Sequence, residues 1–414
     1  MAPANSEHST LVKRIGLNSL WLALARVVSQ GLMLLFTALA ARALGEAGFG
    51  QYAFVAAIVY VGNVLTTFGM DTLLIREIAK SRAAAMTLVP AAFWVQMALS
   101  ALFVAMIFAI TAMMPEQPRL TLGLRIYTLS LIPLAFYTIF SAVLRARERM
   151  DALLASNVAL ASMQVLAASI VLATRQDLAM LFAQLLITQV AAAILAGALC
   201  VRRAPDLTFD FRTSIGALGS IARTAVPFAA LAALGVLSQR LGILLLPALA
   251  GDRVTGEFSA AARIVEALKI APQALLGALL PVLSRRAFDA HLFRAPLFLS
   301  MAFGALAALV LSFAAPVLID VIYGARFAAA SSVLQIMVWS LIPYAFTATV
   351  ALELIAKQRE HRVLVGSALG IGISLFLYLA LVPALGLAAW AFLASEWLQA
   401  FFFFILRRNV IPKL

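Results

Sequence analysis

Two stretches, Gly45–Val59 (GEAGFGQYAFVAAIV) and Gly251–Val265 (GDRVTGEFSAAARIV), decide how this sequence is read. They share both glycines, an acidic residue after the first, an aromatic and a closing Ile-Val, at an offset of 206 residues. A second pair follows in the same order: Leu131–Arg149 (LIPLAFYTIFSAVLRARER) and Leu341–Arg359 (LIPYAFTATVALELIAKQR), at an offset of 210. Chance likeness between apolar helices is common, but two ordered matches at nearly one offset mark an internal repeat of half the chain.

Both copies sit among long apolar runs. Of 414 residues, 64% are hydrophobic and 12% charged, whereas a soluble domain is roughly 45–50% apolar and about 25% charged. A soluble fold cannot hide so much apolar surface. A helix of ~20 residues crosses the hydrocarbon core, and the runs have that length. They lack the alternation of a membrane β-barrel. Breaks at charged and Gly/Pro-containing segments give spans at 17–43, 50–75, 86–114, 121–144, 152–173 and 178–201, then 217–249, 255–281, 295–321, 329–354, 361–383 and 385–406. The connections are short, so no extramembrane domain is expected. The apolar run after the polar tail Met1–Gly16 is too long for a cleavable signal core and reads as a retained helix.

The fold expected is all-α and polytopic, about twelve transmembrane helices in two six-helix lobes, residues 1–206 and 207–414. An even offset of six spans keeps both copies in one orientation, which requires a pseudo-two-fold along the membrane normal. Lys and Arg sort with this topology. Twenty lie on the side of the N-terminus and six (Arg42, Arg119, Arg125, Arg175, Arg253 and Arg326) on the other. The positive-inside rule then puts both termini in the cytoplasm. The net charge of +13 is thus an orientation signal and does not point to nucleic acid. One cysteine and three scattered histidines predict neither a disulfide nor a metal site, and no cofactor motif or phosphate loop is present.

A charge at bilayer depth costs at least ~2.5 kcal/mol, so each needs a reason. Arg26, Arg240, Arg263, Glu266 and Lys269 fall within spans. On a helical wheel Arg26 shares an arc with Ser19, Gln30, Met33 and Thr37. Tyr52, Asn63, Thr66 and Met70 form a stripe on the second helix, and Ser259, Arg263, Glu266 and Gln273 on the eighth, with Lys269 at its edge. Such stripes suit a wet, net-basic cavity for an anionic group, with Arg26, Gln30, Asn63, Arg240, Arg263, Glu266 and Lys269 as candidate lining. The other reading of Arg263, Glu266 and Lys269 is an i, i+3 ion-pair ladder that locks packing. Glu353 and Glu396 are candidate coupling carboxylates, with structural roles as the alternative. Pro133, Pro227, Pro272, Pro316 and Pro343 interrupt helices, and Phe401–Phe404 reads as lipid-facing.

Ala41–Arg82, with ARALGEAGFGQYAF and FGMDTLLIREIAKSR, resembles the opening of the Wzx-type polysaccharide-transport flippases of the multidrug/oligosaccharidyl-lipid/polysaccharide (MOP) exporter superfamily. Gly251–Arg285 is similar to that family's seventh loop and eighth helix, and Val382–Glu396 (VPALGLAAWAFLASE) to its closing hairpin. The resemblance covers essentially the whole chain. It implies a V-shaped, MATE-like bundle in a bacterial inner membrane that flips polyprenyl-pyrophosphate-linked oligosaccharide outward. A polysaccharide polymerase and other assembly proteins are candidate partners. Arg26, in ARVVSQG, resembles a cavity arginine of the related lipid II flippases. Two residues after the seventh-helix arginine the family often carries Asp, where this chain has Gly242. A multidrug/cation antiporter of the superfamily is the nearest rival. A membrane polysaccharide polymerase or ligase is the rival of another class, but it usually needs a large loop or a His/Asp constellation that this sequence does not offer.

Overall fold

The computed structural model describes residues 4–81, 84–114, 118–174, 177–203, 215–276, 293–382 and 385–408; side chains are described from Val28 onward, apart from residues 84, 215–218, 220, 385 and 386. Among the described residues the regular structure is helical throughout. The first copy runs α1 (Ala4–Thr67), α2 (Met70–Lys80), α3 (Ala84–Ala112), α4 (Pro118–Thr128), α5 (Leu131–Ala146), α6 (Met150–Thr174) and α7 (Leu178–Arg203). The second runs α8 (Ile215–Leu268), α9 (Arg294–Tyr323), α10 (Ala329–Met337), α11 (Leu341–Ala356), α12 (Glu360–Leu381) and α13 (Leu385–Arg408).

Ten helical stretches are long and apolar enough to cross a bilayer. Two of them, Val28–Thr67 with 40 residues and Ile221–Leu276 with 56, are far longer than one crossing needs. Each is broken at one glycine, Gly45 (φ 69°, ψ −177°) in α1 and Gly251 (φ 84°, ψ 172°) in α8. Only glycine reaches that backbone region without large strain. Counted as straight segments, the helices accord with the twelve spans read from the sequence. Large apolar side chains point outward along them, Phe313 and Phe298 being 80% and 71% exposed, as hydrocarbon surroundings allow. The Phe401–Phe404 run is only partly such a surface. Phe401 and Phe404 are exposed, but Phe403 is buried with its ring beside Gly366, because a 100° helical step cannot keep four successive side chains on one face.

Two compact units emerge from the packing, one of residues 1–39 and 59–232, the other of residues 40–58 and 233–414. In the first, Leu73, Leu74 and Ile78 of α2 bury against Val89 of α3, Ile139 and Val143 of α5 and Cys200 of α7. Gly69, just before α2, permits a close approach of α8, since a Cβ there would lie 2.7 Å from Cβ of Phe228.

The sequence repeat reappears in backbone detail. Helices α5 and α11 both have 16 residues and start after a buried serine, Ser130 (φ −64°, ψ −16°) and Ser340 (φ −67°, ψ −17°). Pro133 and Pro343 occupy the first turn, where a missing N–H costs no intrahelical bond. Both helices end with a left-handed residue, Glu148 (φ 56°) and Gln358 (φ 57°). The next amides, of Arg149 and Arg359, donate back to the carbonyls of Leu144 and Leu354, each at 2.9 Å, which closes a Schellman cap.

Within the second unit the segments that follow Gly45 and Gly251 cross face to face. A Cβ on Gly50 would lie 1.9 Å from the carbonyl oxygen of Asp252, and one on Gly256 would lie 2.0 Å from that of Glu46. Those four residues are two repeat-related pairs, so the contact is reciprocal, as repeat symmetry demands. Arg253 ties it down through Glu46 at 2.5 Å, and Gln51 donates to Asp252 at 2.7 Å. Arg42 donates to the carbonyls of Val321 and Ile322 at the end of α9. Gly50→Ala and Gly256→Ala are each expected to destabilise the protein by about 1–3 kcal/mol through overpacking. Gly372→Ala, with open space around it, is expected to be neutral or stabilising by up to about 1 kcal/mol; thermal denaturation of the purified variants in detergent separates the two classes.

Candidate functional site

The intramembrane charges of the second unit assemble on three elements. Arg240 lies before the glycine break in α8, Arg263 and Glu266 lie after it, and Glu396 lies on α13. Glu266 Oε1 accepts from Arg240 at 2.6 Å, and Oε2 accepts from Arg263 at 3.3 Å. The arginine is the more enclosed partner, with 9% of its side chain exposed against 27% for Glu266. Low dielectric strengthens the pair, and desolvation of both charges opposes it.

The i, i+3 ladder is therefore half formed. Arg263 and Glu266 pair, but Lys269 reaches away from Glu266 to Glu396 Oε1 at 3.0 Å. At Lys269 the regular helix of α8 is interrupted by a turn, and helical backbone resumes through residue 276. The Lys269 ammonium lies 4.2 Å from the ring centroid of Tyr344 and 5.6 Å from that of Phe392.

Glu266, Lys269 and Glu396 open on a cavity of about 190 Å³. Tyr344, Phe392 and Tyr378 contribute aromatic walls. Gly242 lies beside it, and the residue type there has a physical reason. A Cβ at position 242 would stand 2.4 Å from Tyr378 Oη and 3.1 Å from the Phe258 ring. An aspartate cannot occupy that space while Tyr378 does. Arg240 takes its carboxylate from Glu266, in the segment beyond the glycine break.

Glu353 is separate from this network. It is buried at 3% exposure, accepts from Lys357 at 2.8 Å, and has Arg407 Nε 2.9 Å away in a charge contact without hydrogen-bond alignment. The side chain of Arg26 lies outside the described residues, Gln30 is exposed and Asn63 is half-buried. The stripe on the second helix is mostly packed rather than wet: Tyr52, Thr66 and Met70 are all buried, Met70 within the core of the first unit. Thr37 is likewise buried and donates to Met33 O in its own helix. Sequence reading missed Tyr344, Tyr378 and Phe392, which lie in uniformly apolar runs where a charge-based search has nothing to find.

Helix order and the internal repeat define an all-helical, multi-pass membrane protein. The chain belongs to the polysaccharide biosynthesis protein family, which matches it over residues 15–287. No curated protein sequence matches it. Among solved structures it is similar to the lipid II flippase MurJ in an inward closed conformation, with a TM-score of 0.74 at 12% identity over 93% of this chain and 87% of that one. An inward-facing MATE family multidrug resistance transporter gives 0.72 at 13% identity over 92% and 94%. A Pyrococcus furiosus MOP superfamily transporter, described as having a binding pocket of reverse polarity, gives 0.66 at 12% identity over 95% of each chain.

Glu266→Gln removes the carboxylate that Arg240 and Arg263 share. The expected cost is about 3–5 kcal/mol, as for other buried pairs broken on one side. The double variant Arg240→Met/Glu266→Leu is expected to recover most of that loss, and a thermal double-mutant cycle measures the coupling.

Proposed function

We propose that this chain is a flippase for polyprenyl-pyrophosphate-linked oligosaccharide. It works in a bacterial inner membrane with both termini in the cytoplasm, and moves its cargo from the cytoplasmic to the periplasmic face by alternating access of two lobes, residues 1–206 and 207–414. The observation that carries this reading is the charge balance of the buried network. Arg240, Arg263 and Lys269 outnumber Glu266 and Glu396 by three to two, so the site keeps a net charge of +1. Family membership points the same way.

The chemistry suits such a cargo. A pyrophosphate must exchange its hydration for charge-assisted hydrogen bonds before it can pass the midplane, and arginine supplies them in pairs. Arg26, Arg240, Arg263 and Lys269 take that role, Gln30 and Asn63 add neutral contacts, and Glu266 holds the arginines in place. The prenyl chain stays in hydrocarbon. With the cytoplasm negative, an anion moves outward downhill by roughly 2.3 kcal/mol per charge per 100 mV. Glu353 and Glu396 are the candidates for a coupling proton, each releasing a basic partner when it takes one up. A cation antiporter, the reading that likeness to a MATE transporter favours, needs carboxylates open to exchange, and Glu266, Glu353 and Glu396 are each held by the chain's own cations.

Proteoliposomes loaded with a labelled polyprenyl-pyrophosphate oligosaccharide test the reading. Arg263→Ala is expected to slow flipping roughly tenfold to hundredfold, the equivalent of about 1.5–3 kcal/mol for one charged hydrogen bond. Arg26→Ala/Arg263→Ala is expected to abolish it with membrane insertion intact. Undiminished flipping in the double variant, or ion-driven export of organic cations without lipid flipping, overturns the assignment.

A further inference from the structure

The surroundings of Lys269 resemble a receptor for a free cation more than a packing ion pair. Its ammonium is held by Glu396 Oε1 at 3.0 Å and lies 4.2 Å from the Tyr344 ring centroid and 5.6 Å from that of Phe392. A carboxylate beside two aromatic rings is the arrangement that captures ammonium ligands, because ring quadrupoles and a formal charge act together where water is scarce. Only 10% of the Lys269 side chain and 15% of the Glu396 side chain is exposed. The cage is also braced, since Gln273 Nε2 donates to Tyr344 Oη at 2.7 Å and fixes that ring.

A second observation points to ligand chemistry. The cage opens on the cavity of about 190 Å³. Tyr378, 2% exposed, lines that cavity, and its hydroxyl has no hydrogen-bond partner among the described residues. The hydroxyl of Thr347, in the same wall, is in the same position. Buried hydroxyls without partners next to a caged charge mark a polar space able to solvate a small ion.

We propose that this is a binding site for a small monovalent cation, above all a primary ammonium, which the chain fills with its own lysine. The tethered ammonium neutralises Glu396 without an ion from solution. Deleting the lysine side chain leaves the carboxylate and both rings in place and opens the cage to an external cation. Lys269 and Glu396 also belong to the proposed flipping site, but the test reads cation binding and not transport, so either proposal can fail alone.

The test uses the purified full-length protein in detergent, so its outcome is separable from the flipping assay. Lys269→Ala and Lys269→Ser are melted with increasing ethylammonium or butylammonium chloride, against N-methylglucamine chloride at equal ionic strength. Lys269→Ser, also too short to reach Glu396, is a second variant that opens the cage and guards against misfolding of the alanine variant. Both variants are expected to melt lower than the wild type, and to recover with a saturable upward shift of about 2 °C or more in the alkylammonium salts alone. The wild type and Lys269→Ala/Glu396→Gln are expected not to respond, the first because its cage is full, the second because the carboxylate is gone. Absence of any shift in both single variants, or equal shifts in the Glu396→Gln background, overturns the proposal. A response to sodium or potassium matching that to alkylammonium overturns its preference for a primary ammonium.

Discussion

The hydrogen bond from Arg240 to Glu266, at 2.6 Å, is the interaction around which the second unit is arranged. A guanidinium enclosed among apolar helices costs several kcal/mol unless a carboxylate meets it in good geometry. Glu266 meets that requirement across the two α8 segments and serves Arg263 as well. Lys269 is thereby released from the helical partner three residues away and reaches α13. One carboxylate placement thus governs two ion pairs and the wall of the cavity between them.

The two copies of the repeat share a scaffold but not its chemistry. Backbone angles at Ser130 and Ser340 agree within a few degrees, and so do those at Glu148 and Gln358. The interlocked glycines, Gly50 and Gly256, are repeat equivalents as well. Yet at the same offset the counterparts of Arg263, Glu266 and Lys269 are Ala57, Tyr60 and Asn63. Positions where the backbone itself is in contact must keep glycine, because a Cβ has no room. At these three positions no backbone contact demands glycine, and there one copy carries charge and the other does not.

Gly242 and Tyr378 are matched in volume. The phenol fills the space that a side chain at 242 would need, and the arginine two residues earlier takes its counter-charge from beyond the α8 break. The hydroxyl that Tyr378 brings in joins Glu266, Lys269, Thr347 and Glu396 in the polar part of the cavity wall.

Span positions, their even number, the duplication and the charge bias were all legible in the amino-acid sequence, because apolar run length and loop charge are properties of the linear chain. The breaks at Gly45 and Gly251 fall in the gaps left between apolar runs, at 44–49 and 250–254. Partner choice was not legible. Spacing offers Lys269 a carboxylate three residues back at Glu266, whereas it pairs with Glu396, 127 residues further on. Tyr344, Tyr378 and Phe392 carry no mark in an apolar run that separates a cavity wall from a lipid-facing surface. An ion pair depends on which helices lie against one another, and helix packing sets that through shape at many contacts spread along the whole chain.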